Sequence, residues 1–374
     1  MTEIAVRPIS AAEHLDFIRH RSSASFLQTP AWGTVKSEWR SESLGWFAGP
    51  DLVGVGLVLY RQLPRVRRYL AYVPEGPVLD WASPDLDRLL AALAAHVRTR
   101  GAFAVRMGPP VRIRSWDAET VKQAIANATV SRLSAVAADQ TYDEGASVER
   151  VLHASGWRRQ ASGEGFAAGQ PPFVFQLDLG SRSADDVLAG MNQLWRRNIK
   201  KAAKAGVTVR QGGAADLASF HALYAETARR DGFTSRPLTY FEHMFTTLRA
   251  EDADRIRVYL AHHDDDLVAA TTWVRVGRHA WYSYGASSTA KREVRGSNAI
   301  QWQMIRDSID AGAEIYDLRG ITDTVAADDP HLGLIQFKVG TGGRAVEYVG
   351  EWDLPLNRLI YSAFTAYLRR RGAS

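Results

Sequence analysis

The stretch of this chain with the clearest chemical character is strongly basic. Residues 191–206, MNQLWRRNIKKAAKAG, carry no acidic side chain, and the basic ones are Arg196, Arg197, Lys200, Lys201 and Lys204. In a helix, the first, third and fifth of these lie on one face, with the other two alongside. Like charges four residues apart destabilise a helix by roughly 0.2–0.5 kcal/mol per pair, and a bound polyanion removes that cost. The pattern therefore indicates a polyanion-binding surface, with a merely solvated helix face as the alternative.

The composition agrees with a polyanionic partner without identifying it. The 374 residues carry 46 basic and 41 acidic side chains, and 46% of them are hydrophobic, which suffices for two domains. The absence of cysteine excludes disulfides and thiolate chemistry, and the histidines lack metal-ligand spacing, so we predict no metal site. The start of the chain lacks a signal-peptide pattern and the apolar runs are too short to span a bilayer. We therefore expect a cytoplasmic protein.

The elements that must position the basic stretch follow one pattern twice. Each half reads as a strand and an amphipathic helix, then two strands, a helix ending at a Gly-Ala pair, and a last strand. In the first half the last four elements are predicted at Leu52–Tyr60, Tyr69–Val73, Asp85–Arg100 and Phe103–Met107. In the second half they are predicted at Leu267–Val276, Ala280–Tyr284, Ser297–Ala311 and Glu314–Leu318. The repeat predicts an α+β fold with two domains, each a mixed β-sheet flanked by helices.

This order of elements resembles the GNAT-type acyltransferase fold, so each half is predicted to be a GNAT-like domain. The segment Ala161–Pro172 is rich in Gly, Ala and Pro and is typical of a linker. The first domain is therefore predicted at 1–160 together with a C-terminal helix at 353–374, and the second at 161–352. Ser183 is typical of a helix N-cap, and the predicted helix runs from there through the basic stretch to Gly206. The basic face would then lie near an interdomain cleft.

A GNAT-like fold raises the question of whether acetyl-CoA is the acyl donor. That family holds the coenzyme's pyrophosphate on a glycine-rich turn at the start of a helix. The corresponding segment here, Glu293–Asn298, begins with an acid and has Asn298 at a glycine position. The first half has no comparable turn before Asp85. We therefore predict no coenzyme A site and no other cofactor, so that any acyl donor is a different molecule.

Five segments together resemble the Fem family, the FemA, FemB and FemX aminoacyltransferases of peptidoglycan cross-bridges. They keep the family's order over nearly the whole chain: Ser25–Trp39, Trp195–Ile199, Arg230–Tyr240, Tyr282–Ser287 and Leu334–Lys338. The resemblance implies transfer of an amino acid from aminoacyl-tRNA to the side-chain amine at position three of the peptidoglycan stem peptide. The acceptor would be a UDP-linked muropeptide or its lipid-linked form, lipid II. Residues 240–267 leave no room for the long helical arm of some members, so we expect the compact, FemX-like form without a coiled-coil arm.

The resemblance also implies roles for particular residues on the acceptor side. Lys36, Arg236 and Tyr240 would contact the diphosphate of the acceptor. Tyr284 would line the acceptor channel, although Tyr282 is close enough in sequence to take its place. Some members carry an acidic residue where this chain reads Gly108-Pro109-Pro110, which puts an acidic acceptor contact there in doubt.

The transfer step is assigned by the same resemblance to Phe337 and Lys338, which match the family's Phe-Lys pair. Lys338 is the catalytic candidate, stabilising the oxyanion that develops on the ester carbonyl, a role worth roughly 2.7–4 kcal/mol. The pair lies between Gly333 and the glycine-rich Gly340–Gly343. These glycines indicate mobile backbone that could close over a ligand, or an ordinary hairpin.

The partner implied for the basic stretch is tRNA, which would bind Arg196, Arg197, Lys200, Lys201 and Lys204. Peripheral association with the inner face of the plasma membrane stays open beside a purely cytoplasmic location. Two other functions also stay open. One is a transferase that takes aminoacyl-tRNA to a small-molecule acceptor in secondary metabolism, and the other is a non-catalytic GNAT-like scaffold that binds RNA or protein.

Overall fold

The computed structural model describes residues 3–160 and 169–370, so most of the predicted linker Ala161–Pro172 lies outside the described residues. The helices are α1 Ala11–Arg19, α2 Pro30–Val35, α3 Leu86–Thr99, α4 Ala118–Ala126, α5 Asp143–Ala154, α6 Ala184–Gly190, α7 Gln193–Lys204, α8 Leu217–Asp231, α9 Leu238–Glu251, α10 Gly296–Asp310, α11 Leu332–Val339 and α12 Arg358–Arg370. In these two ranges, no helix combines the length and apolar character that a bilayer crossing requires.

The strands form two mixed sheets. In chain order they are β1 Ile4–Pro8, β2 Arg40–Ala48, β3 Asp51–Gln62, β4 Tyr69–Val73, β5 Ala102–Met107, β6 Arg112–Asp117, β7 Gln140–Thr141, β8 Arg158–Arg159, β9 Phe173–Asp178, β10 Thr208–Gly212, β11 Ile256–His263, β12 Asp266–Val276, β13 His279–Ser287, β14 Ile315–Ile321, β15 Arg344–Tyr348 and β16 Trp352–Pro355. One sheet has the order β1-β2-β3-β4-β5-β16-β8, and the other β10-β11-β12-β13-β14-β9-β15-β6-β7.

The predicted duplication is confirmed by how the strands pair. In each half the first four strands are antiparallel neighbours, and the fourth and fifth strands are parallel. A parallel pair needs a crossover connection, and α3 and α10 supply it at equivalent places. The predicted α+β class with two mixed sheets is therefore correct. The sequence pattern missed β2 and β11, which enter each sheet between its first and third strands.

The two sheets draw strands from distant parts of the chain. The C-terminal strand β16 pairs with β5, so the start of the predicted C-terminal helix at 353–374 is a strand of the first sheet, and the helix begins only at Arg358. However, β6 and β7, which lie within the predicted first domain at 1–160, extend the second sheet through β15. The domain boundaries at 160 and 352 stay a prediction, and the strand pairing shows that the halves are interlocked across them.

The predicted single helix from Ser183 to Gly206 is wrong, because the chain forms α6 and α7 instead. Ser183 does cap α6, since its hydroxyl accepts a hydrogen bond from the Asp186 N–H at 3.2 Å. The break follows from tertiary contacts. The Asn192 N–H donates to the Gly340 carbonyl at 3.0 Å, while its side chain caps α7 by accepting from the Trp195 N–H at 2.9 Å. The chain therefore turns where it meets the loop that follows α11.

One hydrophobic core spans the two halves and docks α2 on α9. Phe26 and Trp32 of the first half pack in the same buried cluster as Phe241 and Phe245 of the second. Polar contacts fix both ends of α2. The Ala31 N–H donates to the Glu251 carboxylate at 2.8 Å, and the His243 imidazole donates to the Thr34 carbonyl at 2.9 Å. The end of α2 is thereby held against α9.

A buried ion pair fastens the C-terminal segment to the first sheet. Asp353 of β16 is fully buried, and its carboxylate accepts two hydrogen bonds from the Arg106 guanidinium of β5, at 2.7 and 2.8 Å. The Tyr361 hydroxyl of α12 donates to the same carboxylate at 2.8 Å. The pair therefore joins β5, β16 and α12.

We expect Arg106→Met to lower the free energy of unfolding by about 3–5 kcal/mol, because it leaves the buried Asp353 carboxylate without its counter-ion. The double variant Arg106→Met/Asp353→Leu should lose much less, since it removes both charges. Urea denaturation of both variants beside the wild type measures these changes. Equal losses in the single and double variants would contradict this account.

Candidate active site

Two cations flank one tyrosine ring where the halves meet. The Lys36 amine, just after α2, lies 5.4 Å from the centroid of the Tyr240 ring, and the Arg236 guanidinium, just before α9, lies 4.9 Å from it. The Lys36 amine is also 5.5 Å from the Trp32 ring. The Tyr240 hydroxyl is 3.1 Å from that of Tyr284. These five residues are called the cation–aromatic cluster below.

Within 3–160 and 169–370, Lys36 and Arg236 form no ion pair, and Arg236 is exposed. The pKa of the half-buried Lys36 amine is lowered, first by burial and then by the Arg236 charge, although the Glu38 carboxylate opposes the shift. Two converging like charges that form no direct ion pair favour an anion beside them, and phosphate oxygens can accept charge-assisted hydrogen bonds from both.

The structure separates the two tyrosines that the sequence could not distinguish. The pairing of β12 with β13 is irregular between Thr271 and Trp273. Tyr284 packs against the core that contains Phe241, whereas Tyr282 packs against the other core, beneath the second sheet. Tyr284 is therefore the one that contacts Tyr240.

The Lys338 amine is buried under the second sheet. The prediction of mobile backbone or a hairpin around Phe337 and Lys338 is wrong, because Leu332–Val339 forms α11, anchored by buried Ile335 and Val339. Lys338 is only 3% exposed, and its amine donates to the Gly320 carbonyl at 2.6 Å and to the Arg319 carbonyl at 3.3 Å. Burial lowers its pKa to about 7, although the nearby Asp317 carboxylate opposes the shift. A protonated amine has three N–H donors, so one is left for a further acceptor.

An irregularity in β14 aims these two carbonyls at Lys338. The register of β14 against β9 shifts between Asp317 and Gly320, and Arg319 has a positive φ of 65°. That conformation costs a non-glycine residue roughly 1–2 kcal/mol. The Asp317 carboxylate supports it by accepting the Arg319 N–H at 2.5 Å. The Arg319 guanidinium in turn leaves the second sheet and forms an ion pair at 2.8 Å with Glu75 of the first half.

A continuous series of contacts connects the cation–aromatic cluster to Lys338. The Arg319 guanidinium lies 5.7 Å from the centroid of the Phe26 ring. Phe26 packs edge-on against Trp32 at 5.3 Å, and Trp32 contacts the Lys36 amine. Because Arg319 also supplies a carbonyl to Lys338, the predicted acceptor-side and catalytic residues belong to one region of the molecule.

Sequence reasoning missed two charged residues of this region, Glu351 and Arg319. Glu351 lies beside Gly108, where a Cβ atom would come 3.2 Å from the Glu351 side chain. An acidic side chain therefore lies next to the Gly108-Pro109-Pro110 segment, which supplies none itself. The Glu351 carboxylate accepts from the Tyr72 hydroxyl at 2.9 Å, and burial raises its pKa. Glu351 has no local sequence signal. Arg319 had one, because it is a charged residue in an otherwise mostly apolar strand.

The basic stretch divides into an exposed face and one structural arginine. The exposed basic side chains on α7 are Arg197, Lys200, Lys201 and Lys204. Arg196 is half-buried, and its guanidinium donates to two carbonyls where α6 ends, each at 2.7 Å. Arg196 therefore stabilises the end of α6 and does not share the exposed face on equal terms.

The basic helix is joined directly to the helix that carries Lys338. The Trp195 indole N–H donates to the Phe337 carbonyl at 2.8 Å, and the two rings pack with centroids 4.8 Å apart. A Cβ atom at Gly340 would collide with Trp195, so this close approach requires glycine. The basic surface of α7 is therefore in direct contact, through Trp195, with the helix that carries Lys338.

The duplicated sheet order and the junction between the halves place this chain in the class of tandem GNAT-like proteins. The sequence model of the FemAB family matches residues 9–264 and 257–369, and the chain belongs to this family. The expected resemblance to the Fem family is thereby confirmed.

Relatives and solved structures agree with this assignment. The lipid II:glycine glycyltransferases of Staphylococcus haemolyticus (strain JCSC1435) and Staphylococcus aureus (strain MRSA252) are 22% and 21% identical, each match covering 94% of this chain and 93% of the relative. The crystal structure of FemX superposes with a TM-score of 0.80 at 20% identity, covering 96% of this chain and 99% of FemX. A tandem GNAT protein from the clavulanic acid biosynthesis pathway gives a TM-score of 0.51 at 13% identity, covering 95% and 99%. The structural matches establish the fold, and the expected compact form is correct.

The lowered pKa of Lys338 predicts how stability depends on pH. An unfolded lysine titrates near 10.4, so between pH 7 and that value the unfolded chain binds more protons than the folded one, and stability rises with pH. From pH 7 to pH 9, the free energy of unfolding of the wild type should rise by about 2 kcal/mol more than that of Lys338→Met. Chemical denaturation at both pH values measures this difference. The exposed-lysine variant Lys122→Met should keep the wild-type slope, and a Lys338→Met slope equal to the wild type would mean that Lys338 is charged throughout.

Proposed function

We propose that this protein transfers an amino acid from aminoacyl-tRNA to the side-chain amine at position three of a peptidoglycan precursor stem peptide. The acceptor is UDP-MurNAc-pentapeptide or lipid II, and the reaction contributes to cell-wall cross-bridge synthesis. Membership of the FemAB family and the names of the two staphylococcal relatives support the transferase activity and the acceptor class. The cytoplasm, at the inner face of the plasma membrane, is the proposed place of action.

The observation that carries the proposal is the pair of unpartnered cations on the Tyr240 ring. A UDP-linked and a lipid-linked muropeptide share a diphosphate, and Lys36 and Arg236 converge where such a group could accept hydrogen bonds from both. Arginine can bind phosphate oxygens through two N–H groups, which fixes orientation as well as charge. A small-molecule acceptor without phosphate would leave both cations unused.

Lys338 is proposed to act on the reacting ester. In the aminolysis, the acceptor nitrogen forms a bond to the ester carbonyl carbon and loses a proton, while the bond to the tRNA ribose oxygen breaks and that oxygen gains a proton to leave as a hydroxyl. No covalent enzyme intermediate is needed. The carbonyl oxygen becomes negative on the way, and the free N–H of the protonated Lys338 amine can stabilise it. A pKa of about 7 keeps that amine partly protonated near neutral pH.

The tRNA is proposed to bind α7, whose exposed side chains Arg197, Lys200, Lys201 and Lys204 carry four positive charges on a short helix. Phosphates along one strand can neutralise these charges and so remove their mutual repulsion. The packing of Trp195 on Phe337 connects this surface to α11. The aminoacyl end of a tRNA held there would be directed toward Lys338.

We expect Lys338→Met to lower turnover by about 10²–10³-fold while acceptor binding persists, because it removes one oxyanion donor and leaves Lys36 and Arg236 in place. Incubation with a mixed charged-tRNA pool and either UDP-MurNAc-pentapeptide or lipid II, followed by mass spectrometry, measures transfer and identifies the amino acid. The matched variant Arg236→Gln should instead weaken acceptor binding. Transfer to neither acceptor by the wild type would contradict the proposed function, and unchanged turnover in Lys338→Met would contradict the role of Lys338.

We expect the triple variant Arg197→Gln/Lys200→Gln/Lys204→Gln to flatten the dependence of tRNA affinity on salt. Each lost phosphate contact reduces the slope of log affinity against log salt by about 0.7–0.9, so three contacts reduce it by about 2 to 3. Binding titrations at several salt concentrations give the slope. A variant with three exposed arginines outside α7 changed to glutamine, Arg229, Arg249 and Arg292, is the control. An unchanged slope in the α7 variant would show that α7 is only a solvated face.

A further inference from the structure

The hairpin that joins β3 to β4 carries a dense group of cations. The end of β3 and the turn after it hold four arginines in eight residues, Arg61, Arg65, Arg67 and Arg68, and no acid follows until Glu75. All four side chains are exposed. Over the described ranges, Arg65, Arg67 and Arg68 form no ion pair. Residues 61–68 are called the arginine hairpin below.

Exposed apolar side chains accompany these arginines. Val66, at the turn between them, is 49% exposed. Leu63 of the hairpin packs against a small core formed by β4, β5 and α12, and Ile360 of α12 packs against the same core. The residue before it, Leu359, is 85% exposed, more than any other large hydrophobic side chain in the described parts of the chain. The surface therefore combines unpaired guanidinium groups with apolar side chains that project into solvent.

The arginine hairpin begins at the edge of the cation–aromatic cluster. The Arg61 guanidinium lies 5.7 Å from the centroid of the Trp39 ring. The Trp39 N–H donates to the carbonyl of Lys36 at 2.9 Å. A surface that contacts the arginine hairpin therefore lies close to the two cations on Tyr240.

This combination fits an anionic lipid bilayer better than a nucleic acid. Arginines near an anionic membrane surface each contribute to binding through the lipid phosphates, and apolar side chains beside them enter the interfacial region. The phosphates of an RNA would pair with the arginines but leave Val66 and Leu359 in water, whereas a bilayer accommodates both kinds of side chain; α7 has one such apolar side chain, Leu194, beside its cations. The diphosphate of a lipid-linked acceptor also lies at the bilayer surface, next to where this hairpin would hold the protein.

We propose that the arginine hairpin, with Leu359 of α12, docks the protein on an anionic bilayer and thereby brings the cation–aromatic cluster to the lipid headgroup level. The purpose of docking rests on the proposed function, because it is the lipid-linked form of the acceptor that would require the protein at a membrane. The docking itself is a property of the hairpin and can be measured without any transfer reaction.

The test is binding of the full-length protein to vesicles of phosphatidylglycerol and phosphatidylcholine, compared with phosphatidylcholine alone. The wild type should sediment with the anionic vesicles only. Arg65→Gln/Arg67→Gln/Arg68→Gln should bind them about a hundredfold more weakly, the product of roughly fivefold for each arginine. Val66→Ser should weaken binding severalfold without any change of charge, and this effect should persist at high salt, where the arginines are screened.

The matched control is the α7 triple variant, which removes the same number of charges from a different surface. It should keep wild-type vesicle binding, and the hairpin variant should keep wild-type tRNA affinity and activity toward the soluble UDP-linked acceptor. Absence of wild-type binding to anionic vesicles, or equal loss of vesicle binding in both triple variants, would overturn the inference. A loss of tRNA affinity in the hairpin variant would assign the hairpin to RNA instead. The vesicle-binding and tRNA-binding results do not depend on whether the protein transfers an amino acid, so failure of the proposed function is recognised separately.

Discussion

The arrangement of the candidate active site depends on the path of the backbone at Arg319. At this point β14 leaves its register, so that consecutive carbonyls of Arg319 and Gly320 accept from Lys338 while the Arg319 side chain reaches Glu75 in the other half. A non-glycine residue holds this conformation only where surrounding contacts outweigh its cost. The Asp317 carboxylate and the Glu75 ion pair provide those contacts. One residue thus positions the catalytic candidate and ties the two halves together.

The cations at this junction differ in whether the protein itself supplies their partners. Arg319 is paired with a carboxylate and Lys338 donates to carbonyls, so the protein supplies partners for both. Lys36 and Arg236 are held against an aromatic ring with no carboxylate near enough to pair. Structural cations are normally neutralised when they are brought together, because their repulsion otherwise opposes folding. Cations kept unpaired side by side are therefore best explained by a ligand that supplies the negative charge.

The sequence predicted what depends on local patterns and family motifs. The repeated order of strands and helices followed from hydrophobic periodicity, and the residues of the cation–aromatic cluster followed from the Fem resemblance. What it could not predict depends on contacts between distant segments. The break before α7 is set by the Gly340 carbonyl, and the helical form of Phe337-Lys338 is set by burial of α11. Glu351 reaches Gly108 only because β16 returns to β5, and no neighbouring residue announces that return.

The two exposed cationic surfaces attach to opposite ends of one series of contacts. The basic helix α7 connects through Trp195 to the helix of Lys338, and the arginine hairpin connects through Trp39 to Lys36. If each surface holds a large polyanionic substrate, the binding energy of these remote groups is used to position the ester next to the amine. Such positioning is a large part of what a reaction between two bound substrates needs. In the proposed transfer the carbonyl is already activated as an ester, so alignment and a donor at the oxyanion are what the protein would have to provide.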